Sequence, residues 1–288
     1  MSHSCTSFPG ITVHSMDRSD GTAQSLLEGF SYLIGEDAMV LYGDTWIDPQ
    51  DLQRLWEQPA PAALVYPLGV ERAVDWICAS LSEGFLASIG AHHRGNGMTH
   101  RLAAFVLPVT FSKHLLITPE YFPNMKVGEG APHEPYLEAA LSCALPEMPV
   151  VCIEGTGAYF DVDKPWHLLQ LNTYLVHRRC GQLTGHICEE GSSISPAATI
   201  KGFVHLGKGS SIGEHVRVEG SLIVGENTVI DNGAIFAGDA VVGSDTRITN
   251  YCQIYDGCSI GDNCILDHAA ELTGGMLWYR PGRLFTAP

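Results

Sequence analysis

Broken at every sixth position, residues 194–272 read ISPAAT IKGFVH LGKGSS IGEHVR VEGSLI VGENTV IDNGAI FAGDAV VGSDTR ITNYCQ IYDGCS IGDNCI LDHAAE L. Each block opens on a large apolar residue: Ile194, Ile200, Leu206, Ile212, Val218, Val224, Ile230, Phe236, Val242, Ile248, Ile254, Ile260, Leu266 and Leu272. In a chain that is 45% hydrophobic, a run of that length at one phase arises by chance in about one of 10⁵ trials. The residue after the anchor is often Gly (Gly207, Gly213, Gly225, Gly243, Gly261) or small or acidic (Ser195, Asp231, Ala237, Asp267), which predicts a tight corner needing permissive φ/ψ. Four past the anchor the residues are mostly small, among them Ala198, Ser210, Thr228, Ala234, Ala240, Thr246, Cys252, Cys258, Cys264 and Ala270. Three short strands per coil, with inward anchors and small residues beside the corners, describe a triangular prism, a parallel β-helix of about four and a half coils.

Composition narrows the function classes. Sixteen basic against thirty-two acidic residues give a formal charge of −16 over 288 residues, which repels nucleic-acid backbones and anionic membranes. No apolar run approaches the ~20 residues of a membrane span, and the opening MSHSCTSFPG lacks the charged-then-apolar order of a signal peptide; a soluble cytoplasmic protein is expected. Nine cysteines, an odd number without framework spacing, fit free thiols in a reducing compartment. Cys252, Cys258 and Cys264 look like a metal cluster, but their six-residue spacing places them on three successive faces of one coil at the small inward position, so a packing role is expected. No HExxH or CxxC pattern supports a zinc site.

Before the repeat, strand and helix patterns alternate. Strands are expected at Ile11–His14, Ala38–Tyr42, Ala63–Pro67, Phe85–Ile89, Leu102–Leu107 and Val150–Ile153, and helices at Thr22–Ile34, Glu134–Ala144 and Pro165–His177. Leu26, Leu27, Phe30 and Leu33 fall on one face of the first helix. Such an order predicts an α/β sheet, with ligands at the carboxyl ends of its strands, where Asp44 falls.

The repeat resembles the left-handed β-helix of the hexapeptide acyltransferase family, whose members form trimers along the prism faces; a homotrimer is thereby implied. The first half resembles the sugar-1-phosphate nucleotidylyltransferases. Asp20-Gly21-Thr22-Ala23-Gln24 is similar to that family's G-T-A segment, which implies nucleotide binding by Gly21, Thr22 and Ala23. Val40-Leu41-Tyr42-Gly43-Asp44 is similar to its strand ending in G-D, which implies that Gly43 lies at the nucleotide and that Asp44 is a Mg²⁺ ligand. The segment from Ala158 to Trp166 is similar to its W-x-D-[VI]-[DG]-x-P segment, which implies that Asp161 is the second metal ligand. Arg94 stands near the place of the family's lysine for the sugar phosphate. The family's Gly-rich, Arg- and Lys-bearing loop has no counterpart in the residues before Gly21, so an incomplete or reduced domain is expected.

The resemblance implies an α/β domain at residues 1–178, an incomplete Rossmann-like nucleotidyltransferase domain, followed by a linker at 179–190. An all-β left-handed parallel β-helix would occupy residues 191–275 and a cap and tail 276–288. It implies transfer from a nucleoside triphosphate to a sugar 1-phosphate with release of pyrophosphate, aided by Mg²⁺, in nucleotide-sugar biosynthesis. Two alternatives stand beside it. One is a trimeric acyltransferase using acyl-CoA, for which His205, His215 and His268 are the candidate general bases. The other is a non-catalytic regulatory or scaffolding subunit that binds a nucleotide sugar. Met276, Leu277 and Trp278 are expected to cap the end of the prism.

Overall fold

In the computed structural model, which describes residues 12–14, 16, 21–33, 35–69, 72–91, 97–119, 134–280 and 283–286, the chain divides into two units, Met1–Tyr159 and Phe160–Pro288. The first unit carries α1 (Thr22–Phe30), β1 (Ala38–Leu41), β2 (Thr45–Ile47), α2 (Pro49–Trp56), β3 (Ala62–Pro67), β4 (Ile77–Ser82), β5 (Phe85–Ala91), β6 (His100–Leu107), α3 (Ser112–Leu115), α4 (Leu137–Ala144) and β7 (Val151–Glu154), with β8 (Tyr159–Asp161) at the boundary. Its main sheet has the order β1-β6-β3-β7-β5-β4. β3 and β7 run parallel, while β6 runs antiparallel to both β1 and β3. The carboxyl ends of β1, β3 and β7 therefore share one edge with the start of β6.

β3 explains why this sheet sits centrally. Its run Ala62 to Tyr66 is buried throughout, and because strand side chains alternate it feeds two cores. Ala63 and Val65 pack with Phe105, Leu107, Ile89 and the inner faces of α1 and α4. Ala62, Leu64 and Tyr66 pack with Ile47, Leu55, Ala104 and Val106 on the α2 side.

Several elements differ from the sequence expectation. α1 stops at Phe30 instead of reaching Ile34, since Gly29 is a weak helix former and Ser31 Oγ donates to Glu28 O at 2.6 Å, diverting a terminal carbonyl. Thr12–His14 forms no strand, and Ile11 lies outside the described residues. α2 was hidden from periodicity by its shortness, yet it has its own start signal: Asp48 accepts from Gln50 N at 3.0 Å, with Pro49 at the first helical position.

In the second unit, α5 (Pro165–Cys180) packs on a three-sided parallel solenoid. Asn172 Nδ2 donates to Gly257 O at 2.8 Å, Ser259 Oγ donates to Asn172 Oδ1 at 2.6 Å, and Cys180 Sγ lies 3.5 Å from the carbonyls of Ser221 and Ala240. The coils stack in parallel with Ser193 on Ser211, Thr199 on Arg217 and Val204 on Leu222, three hexads per coil. Every anchor from Leu206 to Leu266 is buried. Ile194, Ile200 and Leu272, at the ends, are partly buried. Cys252, Cys258 and Cys264 are buried free thiols at the inward position, as their spacing requires. Met276 and Leu277 add one more parallel rung beside Ser259 and Ile260, and Leu277 packs on the core.

The small inward residues do more than fill space. Ser210, Thr228 and Thr246 are buried and form a ladder of hydroxyls, one coil apart. Ser210 Oγ donates to Gly225 O at 2.6 Å and accepts from Thr228 N at 2.8 Å. Thr228 Oγ1 donates to Gly243 O at 2.7 Å and accepts from Thr246 N at 3.1 Å. Thr246 Oγ1 donates to Gly261 O at 2.9 Å and accepts from Cys264 N at 3.0 Å. Thr228→Val, close in volume, leaves both the Thr246 N–H and the Gly243 carbonyl unpartnered inside the prism. It is expected to lower stability by about 2–3 kcal/mol in chemical denaturation followed on the β-helix.

The corners correct one expectation. The residues with positive φ are three past the anchor, among them Gly209, His215, Asn227, Gly233, Asp245, Tyr251, Gly257, Asn263 and Ala269. The glycines just after the anchor have another reason: a Cβ on Gly207 would stand 2.6 Å from the carbonyl carbon and oxygen of Gly225 in the next coil. Close stacking, rather than backbone freedom, demands glycine there. No helix among the described residues is long and apolar enough to cross a membrane.

Candidate functional site

The carboxyl edge of the first unit's sheet gathers Tyr42 to Asp44 after β1, Tyr66 and Pro67 of β3, Glu154 of β7 with Gly155 to Gly157 after it, and His100 and Arg101 at the start of β6. Crevices at this edge are where open α/β sheets take ligands.

The best-organised group there is one the sequence reading did not single out. Arg101, half-buried, has its guanidinium carbon 4.9 Å from the ring centre of Trp76, 5.3 Å from that of Tyr159 and 6.0 Å from that of Tyr66, all in cation–π range. Tyr66 and Tyr159 stack at 5.1 Å and 13°. Beside them, His100 bridges a hydroxyl and a carboxylate: Nδ1 is 2.7 Å from Thr99 Oγ1 and Nε2 is 3.1 Å from Glu154 Oε1. Cys78 faces Arg101 in the β4–β6 register; burial pushes its thiol up to about 11, against the pull of Arg101, so it stays protonated and inert near neutrality.

Asp51 of α2 holds this edge together. Its buried carboxylate accepts from Thr156 N at 3.0 and 3.1 Å, Gly157 N at 2.8 Å, Tyr66 Oη at 2.8 Å and Arg54 Nη1 at 2.9 Å. Arg54 also donates to Glu154 O at 3.0 Å. Burial alone would raise the Asp51 pKa, but the Thr156 and Gly157 N–H groups with the Tyr66 hydroxyl outweigh it and hold the carboxyl below its ordinary range. Burial, then the bond to Asp51, pushes the Tyr66 phenol up. Gly155 lacks a Cβ because one would lie 2.8 Å from Tyr66 Cδ1 and closer still to the rest of that edge of the ring.

Of the residues singled out from sequence, Gly43 and Asp44 form an exposed turn closed by Thr45, whose N and Oγ1 donate to Tyr42 O at 3.3 and 2.8 Å. Just before it, the Tyr42 hydroxyl donates to the buried carboxyl of Glu138, whose pKa burial raises against the opposing effect of that bond. Gly21, Thr22 and Ala23 open α1 against the start of α4. Gly21 has φ 114, and its Cβ would meet Pro135 O at 2.5 Å. Ala23 N donates to Pro135 O at 3.0 Å, and Thr22 Oγ1 accepts from Leu137 N at 2.9 Å. Those groups are thus engaged within the fold. Asp161 ends β8 and is half-buried. Arg94 lies outside the described residues. Among the described residues, no three His, Cys, Asp or Glu side chains gather as a metal set; Mg²⁺ asks less of a protein, one or two carboxylates with substrate phosphates completing its shell, and Asp44 and Asp161 are each a carboxylate of that kind.

The solenoid histidines do not form one group. His205 lies on a strand face with Nε2 2.9 Å from Glu189 Oε1. His215 and His268 stand exposed near another corner, with Gly233 and Tyr251 between them in the stack of coils.

No protein-family model matches the chain, and none of the curated proteins does. Among solved structures, it is similar to the inositol-1-phosphate CTP transferase from T. maritima (16% identity, TM-score 0.40, 52% of this chain and 58% of that one). It is also similar to the UTP-bound UGPase from Acinetobacter baumannii (14%, 0.42, 54% and 56%) and to a UDP-glucose pyrophosphorylase from the same organism (13%, 0.43, 56% and 58%). The chain spans a little over half of each, and at this level of likeness its substrate and reaction rest on its own residues.

Proposed function

We propose that the chain is a sugar-1-phosphate nucleotidylyltransferase-like protein whose first unit takes a nucleoside triphosphate and a sugar phosphate, or the nucleotide sugar, at the carboxyl edge of its sheet. The observation that carries this reading is the placement of Arg101, boxed by Trp76, Tyr66 and Tyr159, on the same edge as the Gly43–Asp44 turn. In the reaction, an oxygen of the sugar phosphate forms a bond to the α-phosphorus as the bond to the β-phosphate oxygen breaks and pyrophosphate leaves. Arg101 would neutralise phosphate charge and the partly exposed Trp76 and Tyr159 rings would flank a base or sugar. His100, held between Thr99 and Glu154, would orient hydroxyls. Mg²⁺, taken by Asp44 and Asp161 with the substrate phosphates, would supply further charge neutralisation. A homotrimer formed by the solenoid and a reducing cytoplasmic setting for the free thiols complete the proposal.

Incubation of the full chain with each nucleoside triphosphate, Mg²⁺ and hexose or N-acetylhexosamine 1-phosphates is expected to release pyrophosphate. The rate should fall about 10²–10³-fold in Arg101→Ala and Asp44→Ala. A second reading, binding of a nucleotide sugar without turnover, is favoured by the internal engagement of Ala23 N and Thr22 Oγ1. Calorimetric binding of a nucleotide sugar with no pyrophosphate release from any pair would select it, and absence of both would sink the two together.

A further inference from the structure

The left-handed backbone region is comfortable for Gly, Asn and Asp and strained for other residues. One corner of the solenoid obeys this rule, coil after coil: Gly209 (φ 68), Asn227 (φ 53), Asp245 (φ 53) and Asn263 (φ 55). A second corner does not. There the equivalent positions are His215 (φ 59), Gly233 (φ 72), Tyr251 (φ 62) and Ala269 (φ 57). Tyr251 is the most discordant, a bulky ring in a strained conformation that leaves it 61% exposed, so burial does not offset the strain.

The surroundings of that ring are organised. Gly233, one coil earlier, leaves room for it: a Cβ there would lie 2.6 Å from both Cδ1 and Cε1 of Tyr251. On another side the His268 ring stands edge-on, with centroids 5.7 Å apart at 87°. The coils beneath are pinned by Gly233 N to Glu214 O (2.9 Å), Tyr251 N to Asn232 O (3.2 Å) and Ala269 N to Asn250 O (3.1 Å), so the ring sits on a rigid base. Asn250, the residue before Tyr251, and His268 are exposed beside the ring, whereas Asn232 Oδ1 is taken by Glu214 N at 2.8 Å. An aromatic face flanked by an amide and an imidazole matches a neutral polyhydroxylated ring.

We propose that this corner is a saccharide-binding platform, on which an uncharged pyranose stacks its C–H face against Tyr251 and hydrogen-bonds through its hydroxyls to Asn250 and His268. Every residue of this corner lies in the second unit, apart from the chemistry assigned to the first. The test is titration calorimetry of the full chain with cellotetraose and with maltotetraose, alongside thermal melts and sedimentation. At least one oligosaccharide is expected to bind with a Kd of about 0.1–5 mM. Tyr251→Phe should keep the affinity within about threefold, whereas Tyr251→Asn should weaken it at least about tenfold while raising Tm by roughly 2–4 °C, because Asn tolerates the left-handed backbone. The proposal is overturned if neither sugar binds by about 10 mM, if Tyr251→Asn binds as the wild type does, or if Tyr251→Asn lowers Tm, which would make the ring a packing element. Conversion of an oligomer to monomers by Tyr251→Asn would likewise overturn it, assigning the corner to contact between copies.

Discussion

Asp51→Ala is expected to destabilise the first unit by about 3–5 kcal/mol, the range for removing one side of a buried charged network. The carboxylate accepts from two backbone N–H groups, a phenol and a guanidinium, and Ala would leave these donors without their buried acceptor. The damage should also reach function. The turn from Gly155 to Gly157 and the Tyr66 ring are both held by Asp51, and Tyr66 forms one wall of the Arg101 box. Ligand binding at the sheet edge should therefore weaken in Asp51→Ala even where the unit is still folded, as calorimetry at low temperature can read. The pH dependence has a definite sign. A carboxyl held below its ordinary value of 3.8 in the folded protein contributes stability that is present above that value. The contribution is lost as pH falls through the lower folded pKa. In Asp51→Asn this part of the acid-induced loss should vanish, so the stability difference between wild type and variant should narrow below about pH 4; an unchanged difference down to acid unfolding would contradict the assignment.

Gly207→Ala is expected to destabilise the solenoid by about 3 kcal/mol or more, a large effect for one methyl group. The added carbon would lie 2.6 Å from the Gly225 carbonyl carbon and oxygen and 2.9 Å from Glu226 N, all backbone atoms that no rotamer change moves aside. The coils cannot part locally, because Gly207 N donates to Val224 O at 2.9 Å and Leu206 pairs with Val224 in the same rung. The informative control is Gly209→Asn, two residues on. Gly209 has φ 68, and its neighbour across the coil is the movable Asn227 Oδ1 at 2.9 Å. Asn already occupies the equivalent place at Asn227 with φ 53, so this change should cost less than about 1 kcal/mol. Equal losses from the two substitutions, measured by denaturation of the full chain, would contradict the distinction between close stacking and backbone freedom.

The anchors from Leu206 to Leu266 were legible because burying an apolar side chain at each sixth residue is a local, repeated requirement, and each coil meets it in the same way. The cysteines at 252, 258 and 264 were legible for the same reason. The function of the glycines after the anchors was not, because two physical demands, positive φ and close approach, select the same amino acid. In the first unit, β3 and β6 stood out as apolar runs, whereas α2 and β4 were missed. α2 spans only Pro49–Trp56, too short for a helical period to show, and β4, Ile77–Ser82, mixes polar and apolar residues as a strand partly open to water does.

What the sequence by itself determined is the architecture of the second half: a three-sided solenoid whose period, inward positions and thiol placement follow from contacts one coil apart. What only the tertiary structure decided is the candidate site. Tyr66, Trp76, Arg101 and Tyr159 come from β3, the approach to β4, β6 and β8, and nothing in their spacing relates them. The sheet order β1-β6-β3-β7 sets the start of one strand beside the ends of its neighbours. The Asp51 hub then fixes the Thr156–Gly157 turn and the Tyr66 ring, one wall of the Arg101 box. The physical reason is range: a repeat satisfies its packing through neighbours at a constant interval, so the pattern is written along the chain, whereas a site at a sheet edge is assembled by strand order across long separations.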